Sequence, residues 1–109
     1  MSTRPNKTTP IATGTKLTYK TPIGEAVQII GSDDWFKWLD GENNTRFYCE
    51  AFPYAFTARR EKRRKGFFWY AYMKLNDVLY KVYMGKSEKL TKEHIFNVIP
   101  LKLDDKYNS

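Results

Sequence analysis

The fold is decided by one alternating stretch, Phe67-Phe68-Trp69-Tyr70-Ala71-Tyr72-Met73-Lys74. Successive side chains of a β-strand point to opposite faces of a sheet, so the stretch separates into two sets. One set is apolar: Phe67, Trp69, Ala71, Met73. The other set is aromatic and polar: Phe68, Tyr70, Tyr72, Lys74. The stretch therefore predicts a strand that turns one face towards a core and presents tyrosines on its other face.

The same period of two continues on both sides of this strand. It predicts flanking strands over 55–61 and 78–84, and Asn76-Asp77 is a typical tight turn between two of the three. The basic run Arg59–Lys65 is followed by Gly66, and residues 62–66 are predicted to form a turn or loop. Together these patterns indicate a three-stranded antiparallel unit over about 55–84.

Two short helices are predicted, over about 33–40 and 92–99. The first has Ser32 as its N-cap, and its two tryptophans and Leu39 form one apolar face. The second is expected to end at Pro100. Further strands are expected over 16–20, 25–30 and 45–51.

The fold class is accordingly α+β, with an antiparallel sheet, the three-stranded basic and aromatic unit, and the two short helices. A single domain is expected over 16–103, between flexible tails over 1–15 and 104–109. Arg4 and Lys7 could give the first tail the character of a weak basic arm, although a plain disordered terminus is the favoured interpretation.

The net charge of the chain is concentrated in one block. Residues 46–86 hold ten Lys/Arg and three Asp/Glu, a net of +7, whereas the rest of the chain has nine of each. A concentrated cationic patch beside flat side chains suits a polyanion that carries bases, because cations neutralise phosphates and rings can stack. The charge distribution therefore favours nucleic-acid binding.

A helix packed on one face of the three-stranded unit would bury the apolar side, which comprises Phe56, Ala58, Trp69, Ala71, Met73, Val78, Val82 and Met84. The opposite face would present Thr57, Arg59, Tyr70, Tyr72, Lys74, Lys81 and Tyr83. An alternative remains open, in which the N-terminal strands and the tryptophan helix pack on that face and bury its tyrosines.

The predicted nucleic-acid-binding set combines the opposite face with the basic run. Its members are Arg59, Arg60, Lys62, Arg63, Arg64, Lys65, Tyr70, Tyr72, Lys74, Lys81, Tyr83 and Lys86. The cations are expected to contact phosphates, and the tyrosines to pack or stack.

Several stretches of the chain resemble a small bacterial module that precedes the ATPase domain in some large LuxR-type (MalT-like) regulators and also stands alone in short proteins. The matching stretches are Phe56-Thr57-Ala58-Arg59-Arg60-Glu61-Lys62, Trp69-Tyr70-Ala71-Tyr72, the segment from Tyr83 to Thr91, and the Trp35-Phe36-x-Trp38-Leu39 helix. The resemblance covers residues 27–99.

The order of three strands and a helix is also similar, more distantly, to the arm-type DNA-binding domain of tyrosine integrases and to the plant ethylene-response-factor domain. Both read DNA with a three-stranded sheet, and the shared features are the Trp-x-Ala strand and the Met84-Gly85 step. The chain departs from their pattern at Tyr70, Tyr72 and Tyr83, where charged or small polar residues are common. That departure favours phosphate contact, ring–sugar packing or single-strand stacking over strict base readout.

Other classes of function are disfavoured by what the sequence lacks. One histidine, His94, and one cysteine, Cys49, make a zinc site improbable, and no catalytic pair, triad or phosphate loop is visible. We therefore expect no enzyme activity, no catalytic or metal-ligating residue and no cofactor. The single cysteine and the absence of a long apolar run predict a soluble cytoplasmic protein without membrane contact.

The favoured function is DNA binding, with double-stranded DNA preferred, by a small regulator or an accessory factor of a mobile element. The alternatives are a protein-interaction module or inhibitor that grips an acidic partner, and a binder of RNA or single strands. The target sequence and the oligomeric state are not predicted.

Overall fold

One mixed sheet of seven strands carries the fold in the computed structural model, which describes residues 9–109. The strands are β1 (Ile11–Thr13), β2 (Lys16–Thr21), β3 (Gly24–Ile29), β4 (Arg46–Glu50), β5 (Phe56–Arg63), β6 (Gly66–Leu75) and β7 (Val78–Gly85). Their order across the sheet is β3-β2-β1-β4-β5-β6-β7. The predicted α+β class is confirmed, and the predicted antiparallel pairing holds everywhere except between β1 and β4, which are parallel.

The helices are α1 (Asp33–Leu39) and a C-terminal segment in which a π-helical stretch, His94–Val98, leads into α2 (Ile99–Tyr107). A short 3-10 turn, Ser87–Lys89, connects β7 to that segment. The predicted cap of the first helix is confirmed, because the hydroxyl oxygen of Ser32 accepts a hydrogen bond from the Trp35 backbone N–H.

The core lies between the sheet and both helices. Of the predicted apolar face, the buried members are Phe56, Ala58, Trp69, Ala71, Met73, Val82 and Met84. Val78 differs, since 49% of its surface is exposed at the end of the edge strand β7. The indole N–H of Trp35 donates to the Leu90 carbonyl at 2.8 Å and thereby ties α1 to the segment that precedes the C-terminal helix.

The first predicted tail is wrong over residues 11–13, which form β1. Ala12 lies opposite both Leu17 of β2 and Cys49 of β4, and all three side chains are fully buried. A strand of three residues is too short to show a period in sequence, and its stability comes from the neighbours on both sides. Residues 1–8 of that predicted tail, with Arg4 and Lys7, lie outside the described residues.

The second predicted helix is too short, and the predicted tail after it is wrong over residues 104–107. Pro100 lies in the first turn of α2, where a missing N–H costs little, and α2 continues to Tyr107. The π-helical stretch ends at Val98, two residues before Pro100, so the change of helix type falls next to the proline, which cannot donate a backbone hydrogen bond. Burial of Leu103 favours the continuation.

The basic run is mainly strand rather than the predicted loop. Strand β5 continues through Arg63, which pairs with Gly66 of β6, and only Arg64 and Lys65 form the turn. The cations of the run contact the neighbouring rings, as Arg60 does with its guanidinium carbon 5.0 Å from the Phe67 ring centre. The pairing of β5 with the aromatic strand β6 therefore stabilises an extended conformation in a segment whose polarity favoured a loop.

The predicted Asn76-Asp77 turn is confirmed. Both residues have positive φ, 51° and 65°, and they join the paired residues Leu75 and Val78. Two successive residues of this kind form the type I′ turn, whose twist matches that of the flanking strands.

Candidate nucleic-acid interface

The face of the sheet that points away from the helices is called here the outer face, and its part on β4–β7 is the candidate interface. Neighbouring strands align the outward-pointing positions in register. Those positions are Arg46, Tyr48, Thr57, Arg59, Glu61, Arg63, Phe68, Tyr70, Tyr72, Lys74, Leu79, Lys81 and Tyr83.

The tyrosines of β6 and β7 are accessible on this face. Tyr70 and Tyr72 are half-buried, and 50% of Tyr83 is exposed. The N-terminal strands extend the sheet sideways through the β1–β4 pair, and α1 packs on the core side. The alternative in which these elements cover and bury the tyrosines is therefore wrong.

Cations of the outer face lie over its rings. The Lys81 Nζ atom is 4.5 Å from the ring centre of Tyr70 and 5.3 Å from that of Tyr72. The guanidinium carbon of Arg63 is 5.0 Å from the Tyr70 ring centre, and that of Arg59 is 5.4 Å from the Tyr72 ring centre. These contacts hold the flexible cationic side chains against the rings of the sheet. The side chains therefore lose less conformational entropy when an anion binds.

Glu61 lies at the centre of this arrangement. Its carboxylate accepts hydrogen bonds from the Tyr72 hydroxyl, from Arg63 Nη2 and, at 3.3 Å, from Lys81 Nζ. The hydrogen bond from Tyr72, followed by the interaction with Lys81, lowers the pKa of Glu61 below its usual range. Glu61 therefore stays ionised at neutral pH and occupies the position that an external anion would take.

The β5–β6 hairpin projects beyond its neighbours. The last residue pair between β4 and β5 is Arg46 with Arg59, and the last between β6 and β7 is Trp69 with Gly85. Beyond these pairs, residues 61–68 form a ribbon of two strands only, which is called here the basic ribbon. Three cations, Arg63, Arg64 and Lys65, lie at its tip.

A shallow recess of about 360 Å³ extends from the tip of the basic ribbon to the outer face, and it is called here the hairpin recess. Its lining consists of three cations and three rings: Arg63, Arg64, Lys65, Phe68, Tyr70 and Tyr83. Five of these six residues belong to the set predicted from sequence, and the structure brings them together.

Two members of the predicted set, Arg60 and Lys62, lie elsewhere, and a third, Lys86, reaches the Phe68 ring at the edge of the recess. Arg60 points to the helix side, where its guanidinium donates to the backbone carbonyls of Leu39 at 2.8 Å and Glu42 at 3.2 Å. A cation in this position stabilises the C-terminal end of α1, so Arg60 has a structural role. Lys62 is exposed on the same side of the ribbon as Arg60, and Lys86 Nζ lies 5.8 Å from the Phe68 ring centre.

The predicted binding set left out Glu61, Arg46, Tyr48 and Phe68, although the alternation in β6 had already placed Phe68 on the same face as Tyr70. Arg46 lies opposite Arg59, and Tyr48 lies opposite Thr57. The period of two in β4 already placed both on the face opposite Phe47 and Cys49, and the pairing of β4 with β5 was the missing step. Arg46 is exposed on that face, whereas only 6% of Tyr48 is exposed. Nothing in the sequence indicated that Glu61 would collect three donors.

The isolated histidine and cysteine both have structural surroundings. A ring nitrogen of His94 lies 2.7 Å from the Met84 carbonyl oxygen. Cys49 is fully buried, and burial raises the pKa of its thiol strongly, so it is not poised as a nucleophile. Within residues 9–109 there is no group of three or more potential metal ligands, and no helix of that range has the length and apolarity needed to cross a bilayer.

Comparison with protein-family models, curated proteins and solved structures found no match to this chain.

Proposed function

We propose that this chain is a DNA-binding protein that inserts the basic ribbon into a groove of double-stranded DNA and holds the flanking phosphates with the outer face. The observation that carries the proposal is the projection of residues 61–68 beyond the rest of the sheet, with three cations at the tip. On this view the protein acts by binding, as a small regulator or an accessory factor of a mobile element, and has no catalytic activity of its own.

The dimensions of the basic ribbon support a major-groove contact. The major groove is about 12 Å wide and about 8.5 Å deep, and it admits a ribbon of two strands. Two paired strands have backbones only about 4.8 Å apart, and three residues beyond the sheet reach about 10 Å. The full seven-stranded sheet is too wide for the groove, so the ribbon rather than the flat face would carry the base contacts.

The outer face would supply the phosphate contacts beside the groove. Arg59, Lys74 and Lys81 lie on the same side of the sheet as the recess, and two of them are held over tyrosine rings. Cations that are positioned in advance bind phosphates with less ordering cost. Phosphate contacts carry no base specificity. They would fix the position of the protein along the DNA and leave the recognition of sequence to the basic ribbon.

A fluorescence-anisotropy titration tests the proposal. Labelled double-stranded DNA, single-stranded DNA and RNA of one sequence are compared at low and near-physiological salt. If five or six phosphates are neutralised, the plot of log K against log salt has a slope of about −5. We expect the three tip cations to contact phosphates at the edges of the groove as well, so replacing Arg63, Arg64 and Lys65 by Ala flattens the slope by about 2 to 3.

The matched control removes the same charge from the helix side. Lys89, Lys92 and Lys102 are exposed there, and their triple replacement by Ala lowers the net charge equally. We expect this control to keep the slope of the unmodified protein. An unchanged slope in the ribbon variant, or equal losses in both variants, would contradict a specific role for the basic ribbon.

A second candidate function, binding to an acidic protein partner, is favoured by one observation. The edge strand β7 exposes Val78, Leu79 and Tyr83 to between 49% and 62%. An open edge with apolar side chains can pair with a strand of another chain. Absence of DNA and RNA binding at low salt would leave this function as the better explanation of the basic face.

A further inference from the structure

The hairpin recess has a wall of three aromatic rings that are inclined to one another. The ring centres of Tyr70 and Tyr83 are 5.5 Å apart with an angle of 60° between their planes, and those of Phe68 and Tyr83 are 6.0 Å apart with an angle of 49°. Rings at these angles form a concave surface rather than a closed stack. Cations lie over the rings of Tyr70 and Phe68, whereas Tyr83 is half exposed, so Tyr83 is the ring of the wall that is most open to a ligand.

The three cations of the recess determine the kind of ligand that fits this wall. Arg63 is paired with Glu61, but Arg64 and Lys65 add two further positive charges to the same recess. A neutral apolar ligand would leave these charges uncompensated, and a cationic ligand would be repelled. A ligand that is both flat and anionic satisfies rings and cations together. A nucleotide has this chemistry, with a base for the rings and a phosphate for the cations.

A base inside a paired duplex cannot use such a wall, because both of its faces are covered by neighbouring base pairs. Only a nucleotide outside the stack offers a face. The recess extends along the outer-face side of the basic ribbon, from the cations at its tip to Tyr70 and Tyr83. When the ribbon enters a groove, the recess would face the wall of that groove, where an extrahelical nucleotide presents its base and its phosphate.

We propose that the hairpin recess binds one unpaired base together with its phosphate, so that the protein prefers DNA with an extrahelical nucleotide. This inference rests on the proposed function and names the DNA form that it selects. Stacking of the unpaired base on an aromatic side chain adds affinity that a paired duplex cannot gain, and we expect a preference of about tenfold for DNA with the extrahelical nucleotide.

The test uses two duplexes of the same sequence, one fully paired and one with a single bulged 2-aminopurine. Anisotropy measures the affinity for each, and the fluorescence of 2-aminopurine reports whether its base becomes stacked. We expect tighter binding of the bulged duplex and quenching of its fluorescence. Tyr83→Leu and Phe68→Leu keep apolar volume but remove an aromatic ring. We expect each variant to lose more affinity for the bulged duplex than for the paired duplex, so that the preference disappears.

Val27→Ala serves as the matched control, because Val27 is exposed on the edge strand β3, outside both the recess and the candidate interface. Circular dichroism establishes that each variant is folded. Equal affinity of the unmodified protein for the two duplexes would overturn the inference and leave the proposed function intact. Binding to neither duplex would overturn both the inference and the proposed function. Displacement of bound DNA by an acidic tyrosine-containing peptide at equal concentration would also overturn the inference, because the recess would then prefer a protein ligand.

Discussion

At the scale of single residues, Glu61 decides how available the outer-face cations are. Its carboxylate holds Arg63 and Lys81 and accepts from the Tyr72 hydroxyl. A phosphate that binds these cations must displace Glu61 or share them with it. The residue therefore weakens binding to any anion but keeps the cationic side chains in place in the free protein.

Replacing Glu61 by Gln is expected to strengthen DNA binding several-fold. The amide still accepts a hydrogen bond from Tyr72 but no longer competes with phosphates for Arg63 and Lys81. The measurement is anisotropy at moderate salt, with the urea midpoint as a control. The midpoint should change little because exposed ion pairs contribute little to stability. A fall in affinity would mean that Glu61 mainly positions the two cations.

The sign of the pH effect at Glu61 follows from its lowered pKa. A carboxyl group whose pKa is lower in the folded state adds stability above its unfolded pKa, and that stability is lost as the pH falls through the folded pKa. The contribution of Glu61 is therefore complete at neutral pH and disappears only in acid.

Individual outer-face residues were predictable from sequence wherever the period of two was clear. It separated Tyr70 and Tyr72 from the buried Trp69 and Ala71, as the structure has them. Arg60 was not predictable, because its guanidinium is held by carbonyl groups of a helix end about twenty residues earlier in the chain. A contact of that kind depends on the tertiary fold, which local patterns do not record.

At the scale of secondary-structure elements, the β6–β7 turn allows a test of the backbone geometry. Asp77 has φ of 65°, a conformation that costs side chains with a Cβ and that glycine adopts freely. We expect Asp77→Gly to be neutral or stabilising by up to about 0.5 kcal/mol and Asp77→Ala to destabilise by about 1 kcal/mol. Urea unfolding of both variants measures the difference. Equal stabilities would contradict the type I′ turn.

The prediction of elements failed where stability comes from distant partners. Strand β1 has three residues and is stabilised by β2 on one side and β4 on the other. The C-terminal helix continues through Pro100 because Leu103 is buried in the core and Tyr107 packs against Tyr54 and Tyr80. Local rules gave the strong strands and the capped helix correctly, and these two elements required knowledge of their neighbours.

At the scale of the whole molecule, the helices and the sheet are joined through Trp35. Its ring meets Trp38 and Phe47, and its indole N–H bonds to the buried Leu90 segment. This one side chain thus connects α1, the centre of the sheet and the approach to the C-terminal helix. We expect the domain to unfold as a single cooperative unit.

Trp35→Phe is expected to destabilise the protein by about 2–4 kcal/mol, because it leaves the Leu90 carbonyl without its donor and a cavity beside it. The matched control is Trp38→Phe, a slightly exposed neighbour on the same helix, with a smaller expected loss. Chemical unfolding followed by tryptophan fluorescence and by far-UV circular dichroism provides the measurement. Two transitions that do not coincide would show that the helical layer unfolds separately.

Because β1 pairs with β4 in parallel, the described chain enters the sheet at one end of its strands, and the C-terminal helix finishes near the other end. These two ends of the strands are called here the poles of the sheet. Pro10 bonds to Tyr48, so the described chain enters the sheet at the pole from which the basic ribbon projects. Tyr107 bonds to Asn76 in the β6–β7 turn, which lies at the other pole. Fluorophores, affinity handles and surface immobilisation therefore belong after Tyr107, where they leave the ribbon unobstructed, and a reporter joined ahead of Thr9 would be sensitive to what approaches it.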